Sequence, residues 1–246
     1  MRVSQRIPED IRALLEAIGR LAQHQRVRAY AVGGCVRDWL LGTSSATDLD
    51  VTVEGDGVAL ADAIARDFGG SVEPHPPFGT ATVVVTHPRP RLRIDVATCR
   101  KETYAKPAAY PQVVAGTLRD DLARRDFTIN AMALALAPRA FGRLIDPFHG
   151  AQDLRLKRLR ILHPGSFMDD PSRILRGIRF AQRFGLRWER RTQRASREAI
   201  AAGALGWLNA GRLRKERELM AREPNPRACV QQLDALLQRG AKGPRA

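Results

Sequence analysis

The sequence predicts an α+β chain in which a region of mixed β-sheet and helices comes first and an all-helical region follows. Three observations lead there. Residues 1–150 alternate helical periodicity with short β-rich runs, whereas residues 151–246 read almost entirely as helix. The two parts differ in charge: the first holds 19 basic and 17 acidic residues, the second 22 basic and 9 acidic. The whole chain has 246 residues, of which 44% are hydrophobic and 27% charged, which is globular composition with enough length for a core.

The elements follow in order. Ile11, Leu14, Leu15, Ile18 and Leu21 fall at helical spacing, so residues 9–24 form an amphipathic helix with Pro8 at its start. Ala29–Val32 is a short strand ending at Gly33-Gly34, and Val36–Leu41 is a short helix closed by Gly42. Leu49–Val53 reads as a strand and Gly57–Phe68 as a helix. Thr80–Val85 and Leu92–Ala97 are β-rich runs joined by His87-Pro88-Arg89-Pro90, which suits a hairpin. Residues 98–117, interrupted by Pro107 and Pro111, read as a mobile loop. Asp120–Leu136 is expected as one helix and Leu144–Asp146 as a short strand before the break at Pro147–Gly150. Beyond it, one strand candidate, Leu159–Leu162, precedes helices near 170–184, 188–202, 208–222 and 226–238. The expected organisation is a first domain at 1–150 and a helical second domain at 151–246, with no internal repeat and no low-complexity tract.

Composition excludes several classes. No apolar run approaches the roughly 18 residues of a membrane helix, and the N-terminus lacks the apolar stretch of a secretion signal. Three scattered cysteines, Cys35, Cys99 and Cys229, show no CxxC spacing, which speaks against a disulfide scaffold or a cysteine zinc site and for a reducing, cytoplasmic setting. The net charge of +15 lies almost entirely in the second part and suggests a polyanionic partner, nucleic acid first. An arginine-rich solvated surface is the plainer alternative.

Asp48 and Asp50 flank Leu49 at a strand start, so their side chains point the same way. Two carboxylates on one face repel unless a cation sits between them, and hard oxygen ligands suit Mg²⁺. Alone, such a pair also fits a polar strand edge. Upstream, Tyr30-Ala31-Val32-Gly33-Gly34-Cys35-Val36-Arg37-Asp38 is a strand, a glycine pair and a helix start. Glycines let backbone N–H groups approach phosphate oxygens, the helix N-terminus favours negative charge, and Arg37 is a phosphate donor one turn in. A phosphate cradle about 15 residues before a metal-binding pair points to a nucleoside triphosphate site. Asp95, flanked by apolar residues in Arg93-Ile94-Asp95-Val96-Ala97, is either a third metal-side carboxylate or an exposed polar position.

These residues carry a resemblance. GGCVRDWLLG at 33–42 followed by DLD at 48–50 resembles the head signature of the class II tRNA nucleotidyltransferase and bacterial poly(A) polymerase family. Arg124-Arg125-Asp126-Phe127-Thr128-Ile129-Asn130-Ala131-Met132 resembles its ribose-recognition motif, and Asp169–Phe180 (DDPSRILRGIRF) its base-recognition motif. Asp146–Gly150 is similar to its hinge, and Asn209–Leu219 is loosely similar to a later neck motif. The matches run in order over residues 30–180. Asp169 stands where the family pattern has Glu.

The resemblance implies a polymerase-β-like nucleotidyltransferase head at 1–150 and an all-helical neck at 151–246, with the family's further body and tail domains absent from this sequence. It implies that Asp48 and Asp50 hold Mg²⁺ and that Gly33, Gly34 and Arg37 contact the triphosphate. Arg125 and Asp126 would lie on the ribose side. Asp170, Arg173, Arg176 and Arg179 would line the nucleotide pocket from the neck. The implied activity is template-independent addition of C and/or A from CTP and ATP to the 3′ end of tRNA. The alternatives are a poly(A) polymerase on general RNA and a non-catalytic RNA-binding protein that keeps the fold. Residues 98–117 lie where CCA-, CC- and A-adding members differ; neither that choice nor an oligomeric state is read from the sequence.

Chemistry bears on the Asp170/Arg173 pair independently. At i and i+3 on a helix they share a face; one only accepts hydrogen bonds and the other only donates. Cytosine and adenine each offer an amino donor beside a ring-nitrogen acceptor. Uracil and guanine place a carbonyl where that amino group sits. One such pair therefore suits CTP and ATP and rejects UTP and GTP without a template. The stripe of Arg173, Arg176 and Arg179 also fits any solvated basic helix face.

Overall fold

In the computed structural model, residues 3–43, 48–75, 79–86 and 91–241 are described. The chain divides into two compact units. The first comprises Met1–Lys101, Val113–Arg125 and Ile129–Ala151; the second comprises Glu102–Gln112, Asp126–Thr128 and Gln152–Ala246. Two segments from the first 150 residues thus lie with the second unit.

In chain order the first unit contains α1 (Glu9–His24), β1 (Arg28–Val32), α2 (Gly34–Leu41), β2 (Asp48–Glu54), α3 (Gly57–Phe68), β3 (Gly70–His75), β4 (Thr80–Val85) and β5 (Leu92–Thr98). The short strands β6 (Arg100–Thr103) and β7 (Gln112–Ala115) pair with each other. Then come α4 (Leu118–Ala123), β8 (Ala133–Ala135) and β9 (Leu144–Ile145). Seven strands form one mixed sheet in the order β3-β4-β5-β2-β1-β8-β9, with β2 and β5 parallel and the other pairs antiparallel. The expected α+β class with a mixed sheet is what the chain adopts.

Alternation gives the sheet two chemically different faces. Leu49, Val51 and Val53 register with Ile94, Val96 and, on β1, Ala31 and Ala29. All of these are buried, and α1 and α3 pack against the sheet. Gly19 allows α1 its close approach, because a Cβ there would stand 1.9 Å from the Leu136 carbonyl oxygen. The opposite face carries Tyr30, Thr52, Asp48, Asp50 and Asp95, and it presents the chemistry described below.

Three sequence expectations change. Asp120–Leu136 is not one helix: α4 ends at Ala123, a 3₁₀ turn spans Thr128–Asn130, and β8 follows. Residues 126–136 are buried throughout, and a continuous buried run has no period by which to tell helix from strand. The strand β3 goes unpredicted because Gly70 and Pro74 weaken its β signal; Pro is tolerated there because β3 is the sheet edge. The expected loop at 98–117 holds β6 and β7. The proline-rich connection at 87–90 lies outside the described residues, although β4 and β5 pair antiparallel as a hairpin requires.

The second unit contains α5 (Gly150–Arg155, which begins in the first), β10 (Arg158–Leu159), α6 (Ser166–Asp169), α7 (Ser172–Phe184), β11 (Arg187–Trp188), α8 (Arg190–Ala201), α9 (Ala210–Ala221) and α10 (Pro226–Ala241). Among the described residues its strands are the parallel pair β10–β11 and the ends of β6 and β7 that fall within Glu102–Gln112, with a bridge between Phe127 and Ile161. Its core is aromatic: Phe127 lies 6.3 Å from Phe167 and 6.0 Å from Phe180, and Phe167 lies 5.9 Å from Trp188. Such tilted and edge-on pairs add to the area they bury. α7 packs on α9 and α10, and α10 on α8.

Candidate active site

In the first unit the site grows out of strand register. Parallel pairing sets Asp48 opposite Arg93 and Asp50 opposite Asp95, so all four side chains share the polar face. Asp48 and Asp50 are reached by solvent. The Asp95 carboxylate is already held, by Thr82 Oγ1 at 2.6 Å and by Arg93 Nε and Nη2 at 3.0–3.2 Å. Crowding by protein pushes the Asp50 carboxyl above its ordinary range; Asp95 and Asp48 push the same way, and Arg125 and Arg93 pull against them. Asp50 is therefore a carboxylate whose charged form is disfavoured chiefly by its surroundings of protein.

Gly33 caps α2 at φ 75° and ψ −129°, a conformation only glycine adopts without strain. A Cβ there would meet Arg125 Nη1 at 2.7 Å and Asp50 Oδ2 at 3.5 Å. The absent side chain thus lets a guanidinium and a carboxylate converge on the start of α2, where Gly34 opens the helix with free backbone donors. Arg37 is buried: its Nε and Nη2 donate to Asp38 at 2.9 and 3.1 Å, and its Nη1 to Asn130 Oδ1 at 2.6 Å. Cys35 is no nucleophile, because burial, aided by Asp50, pushes its thiol up to about 12.

Arg125 is held from behind. Its Nη2 donates to Asp121 Oδ2 at 3.1 Å, and Arg124 Nη2 donates to Asp121 Oδ1 at 2.7 Å. Asp121 is fully buried; burial raises its carboxyl, but Arg125 and Arg124 outweigh burial and hold it below the ordinary range. The Arg125 Nε is buried with no hydrogen-bond partner among the described residues. α4 presents this pair because Thr117 and Asp120 close a capping box at its start and Glu54 Oε1 accepts from the Leu118 N–H at 2.9 Å.

In the second unit Asp126 and Arg176 form an ion pair: Nε and Nη2 donate to Asp126 Oδ2 at 2.9 and 2.7 Å. Arg176 also lies 5.6 Å over the Phe180 ring. Asp170 sits in extended backbone between α6 and α7, so it does not share a helix face with Arg173 as the i, i+3 spacing predicts; Arg173 in the first turn of α7 donates Nη1 to Ser166 Oγ at 2.7 Å. Arg179 is set apart from these residues. It is buried, with Nε on Glu223 at 2.8 Å and Nη1 on Glu216 at 3.0 Å, while Arg183 also grips Glu223. Its charge is neutralised inside the helical core, where it ties α7 to α9.

Residues 29–160 match the model of the poly A polymerase head domain. The chain belongs to that family. Proteins similar to it include the A-adding tRNA nucleotidyltransferase of Halalkalibacterium halodurans, 42% identical over 94% of this chain and 53% of the relative. The CC-adding tRNA nucleotidyltransferase of Deinococcus radiodurans is 36% identical over 92% of this chain and 58% of the relative. A solved structure of a CCA-adding enzyme in apo form superimposes with a TM-score of 0.90 at 39% identity, covering 98% of this chain and 57% of that one. The chain thus spans little more than half the length of these similar proteins.

Sequence reading missed several residues that shape the site. Asp121 carried a usable signal, lying three and four residues before Arg124 and Arg125 at helical contact spacing. Thr82 joins Asp95 only through strand register, whereas Arg93 lies two residues before Asp95 on the same face of the same strand, a local spacing. Arg212 reaches Asp170 across 42 residues, which no local pattern announces.

Proposed function

We propose that this chain is the nucleotide-transferring part of a template-independent RNA nucleotidyltransferase that adds C and/or A residues from CTP and ATP to the 3′ end of tRNA. The observation that carries the reading is the register of β2 with β5, which sets Asp48, Asp50 and Asp95 on one face beside the Gly33 turn. The names of the similar proteins above support the substrate, and the basic second part supports a polyanion.

The residues present fit a divalent cation, with Mg²⁺ as the ion of choice. Among the described residues no group of three or more His, Cys, Asp or Glu side chains could hold a metal. Two carboxylates suffice for Mg²⁺, which takes one or two and fills its shell with water and phosphate oxygens. Asp48 and Asp50 would hold it, and a cation there would favour the charged form of Asp50 that its surroundings disfavour. When bound, it would activate the attacking hydroxyl and stabilise charge developing at the α-phosphate.

The chain's own groups do the rest. The Gly33-Gly34 turn admits a phosphate to the electropositive N-terminus of α2, and Arg37, braced by Asp38 and Asn130, makes that turn rigid. Arg125, clamped by Asp121, directs donors toward the ribose side, with Asp126 beside it in sequence. Asp95 keeps Arg93 and Thr82 in place next to Asp50. In the second unit Asp170 and Arg173 read the base, and Arg176 adds positive charge near them in sequence. The RNA 3′-hydroxyl attacks the α-phosphate in line and pyrophosphate leaves.

The test uses tRNA lacking three, two or one of its terminal nucleotides, each offered one nucleoside triphosphate at a time with Mg²⁺. Extension by one to three residues of C or A is the expected outcome. Run-on addition of A to any RNA would favour the poly(A) polymerase reading, which the head-domain match also accommodates. Binding of RNA with no extension under any combination would favour a non-catalytic role.

A further inference from the structure

Asp170 is held more tightly, and more asymmetrically, than its position between two helices requires. Its Oδ1 accepts from Arg212 Nη2 at 2.5 Å, from Ser172 Oγ at 2.6 Å and from the Ser172 backbone N–H at 3.1 Å. Arg212 Nη2 also lies 3.3 Å from Ser172 Oγ, which closes a triangle of the three side chains. Among the described residues Oδ2 accepts no hydrogen bond. Arg212 is itself fixed, because its backbone N–H is the donor that the Asn209 side chain accepts in capping α9.

A carboxylate free to rotate presents either oxygen, with its lone pairs, to whatever donor arrives. A carboxylate with one oxygen saturated presents a single acceptor in a single direction. We propose that Arg212, with Ser172, is a specificity-positioning pair. It locks Asp170 so that Oδ2 alone meets the base, and a base is accepted only where it carries an amino donor at that point. This rests on the reading that Asp170 and Arg173 select the nucleotide, and it deepens that reading by naming what makes the selection sharp. The mechanism is geometric: a buried or oriented acceptor left facing a carbonyl loses its hydrogen bond and repels, whereas a carboxylate able to turn away, or to take a water, tolerates the mismatch.

The test measures equilibrium binding of CTP, ATP, UTP and GTP to the full 246-residue chain and to Arg212→Ala, Arg212→Lys, Ser172→Ala and Asp170→Asn, with helical circular dichroism as the folding control. The wild-type chain should prefer CTP and ATP. In Arg212→Ala the ratio of that affinity to the affinity for UTP and GTP should fall about tenfold or more, the loss expected for one hydrogen bond to a charged group. Ser172→Ala should lower it less, and Arg212→Lys, which keeps the charge, should restore part of it. If Asp170→Asn removes the preference while Arg212→Ala and Ser172→Ala leave the ratio unchanged, the positioning inference is wrong and base reading by Asp170 stands. An equal loss for all four nucleotides with the ratio intact also overturns it, assigning Arg212 a purely structural part. If Asp170→Asn keeps the preference, or the wild-type chain shows none, the base-reading assignment itself fails. Should Arg212→Ala lose its helical signal, Arg212→Lys and Ser172→Ala decide the matter.

Discussion

At the scale of single residues, charge and conformation at the polar sheet face set what the chain can do. Asp50 is crowded, so its carboxyl titrates above the ordinary range and its charged form is disfavoured in the folded state. As pH rises from the unfolded carboxylate value of about 3.9 through that raised value, the fold loses stability, the reverse of the usual carboxylate. A bound cation would cancel the loss. Mg²⁺ is therefore expected to raise Tm at pH 7–8 and less so near pH 4, and the gain should vanish in Asp50→Asn; differential scanning calorimetry with and without the ion measures both. At Gly33, an alanine would carry a Cβ into Arg125 Nη1 in a backbone conformation costing on the order of 1–3 kcal/mol for a non-glycine residue. Gly33→Ala should lower Tm and weaken triphosphate binding together, whereas Gly42→Ala, which also has positive φ but open space around it, should affect Tm alone.

At the scale of elements, α4 is a short helix that exists to present two arginines. Its capping box, the Glu54 anchor and the buried Asp121 make it rigid despite six residues of length. Asp121 is depressed in the fold, so its contribution is present above a pH of about 3.9 and is lost as pH falls through its folded value. Asp121→Asn leaves Arg124 and Arg125 without their anion; breaking a buried pair this way costs roughly 3–5 kcal/mol. The expected signature is a lower urea midpoint and a flattened acid limb of the stability–pH curve. Legibility differed by element. The helices at 9–24 and 57–68 and the strands around Asp48–Asp50 and Asp95 were readable because each buries one face and leaves another polar. The stretch 120–136 was not, because burial on all sides erases the period on which such reading depends.

At the scale of the whole molecule, charge is distributed unevenly, and part of it is internal. The second unit neutralises Arg179 and Arg183 with Glu216 and Glu223 in its core. Burial raises the Glu223 carboxyl, but its bonds to Arg183 and Arg179 prevail and hold it below the ordinary range. Like Asp121, it stabilises above a pH of about 4.3 and ceases to do so as pH falls through its folded value. Arg190, Arg191 and Arg197 on α8 and Arg214 and Arg217 on α9 are exposed to solvent. Binding of tRNA to this chain should weaken steeply between 50 and 200 mM salt, with log affinity linear in log salt. Paired exposed substitutions such as Arg190→Gln/Arg194→Gln should reduce that slope without altering nucleotide choice; filter binding across a salt series reads it.

The sequence by itself determined the α+β class, the carboxylate pair, the glycine turn and the charge asymmetry, because each is a local pattern spanning a few residues or a sum over many. Tertiary structure decided which partners the arginines of α7 take. Arg173 and Arg179 belong to one helix and one basic motif, yet one is bonded to Ser166 and the other is sealed between two glutamates. It also decided that Thr82 holds Asp95 and that Arg212 saturates one oxygen of Asp170. Those partners lie on other strands and helices, and a guanidinium's role is set by the carboxylate that packing brings to it, which spacing along the chain does not encode.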